Sequence, residues 1–237
     1  MLIIIDKRMP EEVKANLSTK GELLELSTSG ITYDAISGHP DIFFCPTPAG
    51  LIVAPNTPEE FLKKLSEHNI AFICGDMPVG AKYPETAHFN ALVTDEYVIH
   101  NPAITDPRIR SLAESLPDQP APLIQVPCSQ GYVRCNLIHL AGKQFITSDR
   151  GIEKALKKAG MEVFYISPVT IQLPGFKHGF WGGCCGVLDR QVFVAGNLDQ
   201  LQEGRQLSGF VAASGFSITE LYNGPLIDGG GILFVRS

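Results

Sequence analysis

Gln144-Phe145-Ile146-Thr147-Ser148-Asp149 is an apolar strand that runs into a residue suited to start a helix, and the sequence on either side completes a structural unit. Upstream, Val133 to Leu140 reads as a first strand, and Ala141-Gly142-Lys143 as the turn joining it to Gln144–Thr147. Downstream, Asp149 can accept hydrogen bonds from the free N–H groups of a new helix. Ile152, Ala155, Leu156 and Ala159 then share one helical face by the 3.6-residue period. Gly160 stands where a left-handed cap ends such a helix, and Val163 to Ile166 returns as a strand. The order is strand, turn, strand, Asx loop, helix, strand.

The same order repeats around the chain. Strands Leu2–Ile5, Leu51–Val53, Tyr97–Ile99 and Val192–Val194 lead into Asp6, Asn56, Asn101 and Asn197, and successive Asx residues lie 45 to 50 positions apart. From Asn197 through the C-terminus and round to Asp6 the interval is 46. An even period that also spans the ends predicts five units in a ring. It places them at about 229–237 with 1–30, 39–76, 86–127, 131–168 and 178–222, within a single domain over 1–237. In the split unit, Gly230 to Val235 pairs with Leu2 to Ile5. Helices are expected after Pro10-Glu11-Glu12 with Gly21 as cap, after Pro58-Glu59-Glu60 with Asn69 as cap, and around Leu112 and Leu116. The segment Gln202 to Gln206 is the weakest helix.

Composition limits the function. A net charge of −6 lacks the basic footprint that nucleic-acid phosphates require. No window supplies the ~20 apolar residues of a membrane helix, and Asp6-Lys7-Arg8 interrupts the apolar start before a secretory signal can form. Six cysteines without a Cys-x-x-Cys pair indicate a reducing, cytoplasmic setting. No cofactor is implied. A zinc set of His178, Cys184 and Cys128 lacks paired spacing, so no metal is assigned, and the oligomeric state stays open.

Five ββαβ units about a pseudo-fivefold axis resemble the pentein fold, an α+β propeller shared by arginine deiminases, dimethylarginine dimethylaminohydrolases, amidinotransferases and agmatine deiminases. A non-enzymatic ribosome anti-association factor has it as well. The resemblance spans essentially the whole chain and implies a small cationic, guanidino-type ligand in the central channel. Its enzymes use a cysteine nucleophile, a histidine and two acids. In agmatine deiminases the cysteine follows a glycine run; here Gly229-Gly230-Gly231 leads to Phe234 at the matching place. The His-x-Asp pattern becomes His178-Gly179-Phe180, and an acid with two glycines becomes Gln130-Gly131-Tyr132.

The openings of the first strands carry His39 and Asp41, His88 and Asn90, Arg134 with Cys135 and Asn136, Cys184 and Cys185, and Asp228. On the enzyme reading, Cys184 or Cys185 acts as nucleophile, His178 as base or acid and Asp228 as the carboxylate grip. Trp181 then stacks on the cation, and Asn90, Arg134, Asn136, Asp41 and His88 line the ligand site. On the competing reading the cysteines are small buried groups, Cys45 and Cys74 belong to the core, and the protein is a catalytically silent binding module for a small molecule or protein. A channel blocked by Phe180, Trp181 or Phe234 favours the second.

Overall fold

The computed structural model describes residues 1–112 and 122–236, and these form five three-stranded sheets. The strands are β1 (Leu2–Asp6), β2 (Glu22–Leu26), β3 (Phe44–Thr47), β4 (Gly50–Val53), β5 (Phe72–Cys74), β6 (Leu92–Val93), β7 (Tyr97–His100) and β8 (Ile124–Pro127). They continue with β9 (Leu137–His139), β10 (Gln144–Thr147), β11 (Glu162–Tyr165), β12 (Cys185–Leu188), β13 (Gln191–Val194), β14 (Ser217–Glu220) and β15 (Leu233–Val235). Every sheet has one topology: the first strand runs antiparallel to the second, and the third returns parallel to it. A parallel return needs a crossover, and the segments after the second strands supply it.

The split unit closes as its sequence predicts. Leu2, Ile3 and Ile4 pair with Val235, Phe234 and Leu233 in antiparallel register, and β2 lies parallel on the other side of β1. The chain therefore has the pentein fold, with the two ends forming one hairpin-like pair. The second strands β1 and β7 are buried along their whole length. Burial on both faces explains why they read as continuous apolar runs instead of alternating ones.

The Asx residues after the second strands act as latches. Asp6 accepts from the Arg8 N–H, Asn101 from Ala103, Asp149 from Ile152 and Asn197 from Asp199, at 2.7–3.0 Å. Asn56 instead clamps a distant loop, accepting from the Val79 N–H and donating to the Val79 carbonyl. Asp149 caps the helix Arg150–Lys158, which turns Ile152 and Leu156 inward.

Several local expectations change. Val133–Asn136 is a helical turn and the strand starts only at Leu137. The N–H groups of Val133 and Arg134 donate to the Asn90 carbonyl, and Asn136 Nδ2 donates to the Tyr132 carbonyl, which holds the turn. Equivalent turns, Pro40–Phe43 and Gly182–Cys184, precede β3 and β12. The polar residues at these openings therefore ride on helical turns, where strand alternation does not set their direction. Gly21 is not a left-handed cap; a Cβ there would press on the Met1 carbonyl, so its role is close approach. Asn69 and Gly160 do have positive φ, 54° and 78°. The polar Gln202–Gln206 region opens a full helix, Gly204–Ala213, anchored by Leu207 and Val211. Cys74 is exposed, not core. Leu116 lies outside the described residues, and no described helix is long and apolar enough to cross a membrane.

Candidate functional site

Near the helical turns at one end of the channel lies a cavity of about 90 Å3, lined by polar and aromatic groups. Asp41 comes from the turn before β3, Cys135 from the turn before β9, and Asp228 from the segment leading to β15. His39 and His178 also reach it, and Tyr33, Tyr132, Phe176 and Phe180 supply aromatic wall. Tyr33 and Phe176 lie 5.7 Å apart between ring centroids, and Tyr132 stacks on Phe180 at 6.3 Å. A second cavity, of about 170 Å3, shares His39 and Asp228 with the first and continues past Asp6 and Met9.

The carboxylates differ sharply in their partners. Asp228 is built in: its oxygens accept from the backbone N–H groups of Phe180 at 2.9 Å and Gly230 at 3.0 Å. Gly183 and Gly179 have no room for a Cβ beside it. Burial raises its pKa, opposed by His39 and those two N–H bonds. Asp41 is fully buried, and among the described residues neither of its carboxylate oxygens has a hydrogen-bond partner. Burial pushes its pKa up to about 8, against the lowering influence of Arg134 and of the neighbouring Asn90 amide and with a further rise from Asp228. A buried carboxyl left this bare is costly unless a ligand or a proton occupies it.

His39 sits between two carboxylates, with Nδ1 3.9 Å from Asp228 and Nε2 4.0 Å from Asp6. Burial lowers its pKa more than these neighbours raise it, so at neutral pH it is an uncharged imidazole and the contacts are not ion pairs. Asp6 takes its compensation from Arg8, which donates through Nε and Nη2. The same guanidinium donates to the carbonyls of Asp34 and Ala35.

The expected site residues divide into three groups. Asp41, Asp228 and His178 line the cavity together. Asn90, Asn136 and His88 do not line it and bond neighbouring protein groups. Asn90 donates to the Asp41 carbonyl and accepts from the Cys135 N–H. Asn136 bonds Tyr132 and Ser148, and His88 Nδ1 lies 2.7 Å from the Ile104 carbonyl. Cys184, Cys185, Trp181 and Arg134 do not line the Asp41 cavity. Cys184 is wholly buried and its thiol donates to the Phe180 carbonyl at 3.3 Å. Cys185 and Arg134 instead border a cavity lined by the first strands. Trp181 is fully buried among Ile146, Ile171, Cys184 and Leu226, with no face open for stacking.

The thiol at this cavity is Cys135. It donates to the Tyr132 carbonyl at 3.6 Å, and burial, reinforced by Asp41 and Asp228, raises its pKa well above the ordinary thiol value. Cys184 and Cys185 are likewise held protonated by burial. Among the described residues no cluster of three His, Cys, Asp or Glu is placed to hold a metal ion, which covers the set His178, Cys184 and Cys128.

A model described as a family of unknown function, DUF6873, matches residues 4–233. The chain belongs to that family. No curated protein matches the sequence. Among solved structures, the DUF6873 chain is similar to dimethylarginine dimethylaminohydrolase from Pseudomonas aeruginosa, solved with citrulline, at TM-score 0.54 and 11% identity over 92% of this chain and 91% of that one. It is similar to SxtG, an amidinotransferase of the saxitoxin pathway in Microseira wollei, at TM-score 0.55 and 11% identity, covering 92% and 87%. The agmatine deiminase of C. jejuni gives TM-score 0.53 and 8% identity, covering 93% and 87%. At these identities the likeness establishes the fold. The DUF6873 cavity has aromatic wall at two places where the sequence departs from the pattern of the guanidine-modifying enzymes, Tyr132 after Gly131 and Phe180 after His178-Gly179.

Proposed function

We propose that this protein is a non-catalytic pentein that binds a small guanidinium- or amidinium-type cation in the Asp41 cavity. The observation that carries this reading is the bare Asp41 carboxylate, fully buried, in a cavity walled by Asp228 and four aromatic rings. A planar cation offers N–H donors to both carboxylates and its face to the rings. The volume equals about three waters, which suits a head group of a few heavy atoms. Guanidine chemistry in the structural relatives supports the same ligand class.

A thiol-dependent hydrolase or amidinotransferase needs a thiolate beside the bound carbon. Burial, reinforced by Asp41 and Asp228, holds Cys135 protonated, and its thiol faces a backbone carbonyl instead of a base. Phe234, at the place of the family nucleophile, packs on Phe193 with ring centroids 5.1 Å apart. These features support binding without turnover. The proposal includes a cytoplasmic setting, in which six free thiols persist.

Thermal denaturation with methylguanidinium, acetamidine and neutral methylurea tests this reading. The two cations are expected to raise the melting temperature, corresponding to about 2.7 kcal/mol at a hundredfold excess over Kd. Methylurea should leave it unchanged, and the cations should be recovered intact. Equal effects of methylurea, or release of a ureido product, would overturn the proposal.

A further inference from the structure

The first strands of all five sheets border a separate cavity of about 520 Å3, with Thr47, Val93, Leu137, Val187 and Phe234 each contributing wall. Its one lining arginine or lysine is Arg134, among the described residues. The Arg134 guanidinium carries five N–H donors, and none of them has a hydrogen-bond acceptor among the described residues. Nη1 is wholly buried without a partner. It packs beside Gly231, where an added Cβ would come within 2.5 Å of it. Arg8, Arg108, Arg150 and Arg236, by contrast, each hold a carboxylate. Arg134 exerts its field on Asp41 and on the thiols of Cys45, Cys135 and Cys185, yet bonds none of them.

We propose that Arg134 anchors a second ligand site, in which a small, singly charged carboxylate binds the guanidinium. A guanidinium fork matches a carboxylate bidentately. Glu96 also lines this cavity, and its charge opposes a dianion more than a monoanion, so a monocarboxylate is preferred over phosphate. The Asp41 cavity selects cations and this one selects anions, so the two sites are separately testable.

The test uses the intact protein with 15N-labelled arginine, titrated with sodium acetate at a constant ionic strength of about 0.15 M. Inorganic phosphate and chloride serve as the comparison anions. Acetate is expected to shift the Arg134 Nε–H resonance saturably, with phosphate weaker and chloride inert. The shifted resonance should vanish in Arg134→Met, and acetate affinity should fall about tenfold or more in that variant. Val187→Trp, which fills the cavity from its wall, should keep the Arg134 resonance and lose the acetate shift, so the idea stays testable if Arg134→Met misfolds. Acetate binding should persist in Asp41→Asn, which separates this site from the cation cavity. A resonance unmoved by acetate, a shift shared equally by chloride, or a shift kept in Val187→Trp would each overturn the proposal.

Discussion

Asp41→Asn is expected to stabilise the protein at alkaline pH while abolishing cation binding. The folded-state pKa of Asp41 is raised to about 8, against about 3.9 for an unfolded aspartate. Its folded carboxyl therefore holds a proton that the unfolded chain has already released. Stability is highest below the unfolded value, falls as pH rises from about 4 towards 8, and carries the full penalty above that. Each unit of displacement corresponds to about 1.4 kcal/mol, so the penalty amounts to a few kcal/mol. An amide has no charge to desolvate, and the gap in urea-unfolding free energy between variant and wild type should widen from pH 7 to pH 9. Starting at pH 7 avoids His39, whose lowered pKa removes stability only on the acid side. Ligand binding should move in the other direction. A cation must displace the Asp41 proton, so wild-type affinity for methylguanidinium is expected to rise about tenfold per pH unit below 8 and then level off. An affinity that stays flat across this range would rule out Asp41 as the ligand carboxylate.

Trp181→Ala is expected to cost about 3–5 kcal/mol, the usual range for emptying a fully buried large aromatic site. Trp181→Phe should cost less, because it keeps most of the buried ring volume while removing an indole N–H that has no acceptor among the described residues. Phe176→Ala should behave in the opposite manner. Phe176 is 52% exposed, so its loss should barely move the unfolding midpoint, yet it should weaken methylguanidinium binding by removing one wall of the cavity. Chemical denaturation and calorimetry on the three variants distinguish a core tryptophan from a stacking one. A Trp181→Ala protein of wild-type stability with impaired binding would reverse the assignment.

The ring was legible because its determinants are local and repeated. Asp149 and the apolar face of Ile152 and Leu156 specify one unit, and Asp6, Asn101 and Asn197 carry the same latch in others. The site was less legible because it depends on direction more than on identity. A helical turn where a strand was expected took Arg134 away from Asp41's cavity and left Cys135 lining it. Trp181, beside two glycines and near His178, had the composition of a ligand platform, but its environment is set by strands far away in sequence. Tyr33 carried no local signal at all. Tyr132 and Phe180 did carry one: both are aromatic where the family pattern has an acid or a glycine, and both face the ligand cavity.

The antiparallel pairing of β15 with β1 also makes this break in the ring interchangeable with other positions. They occupy the place where the other sheets have a hairpin turn, such as Pro48-Ala49 between β3 and β4. Fusing Ser237 to Met1 through a short linker and cutting at Pro48-Ala49 yields a circular permutant with every strand pair kept. In such a permutant the order of synthesis changes while the architecture does not, which makes the fold a loop in the topological sense with an arbitrary point of entry.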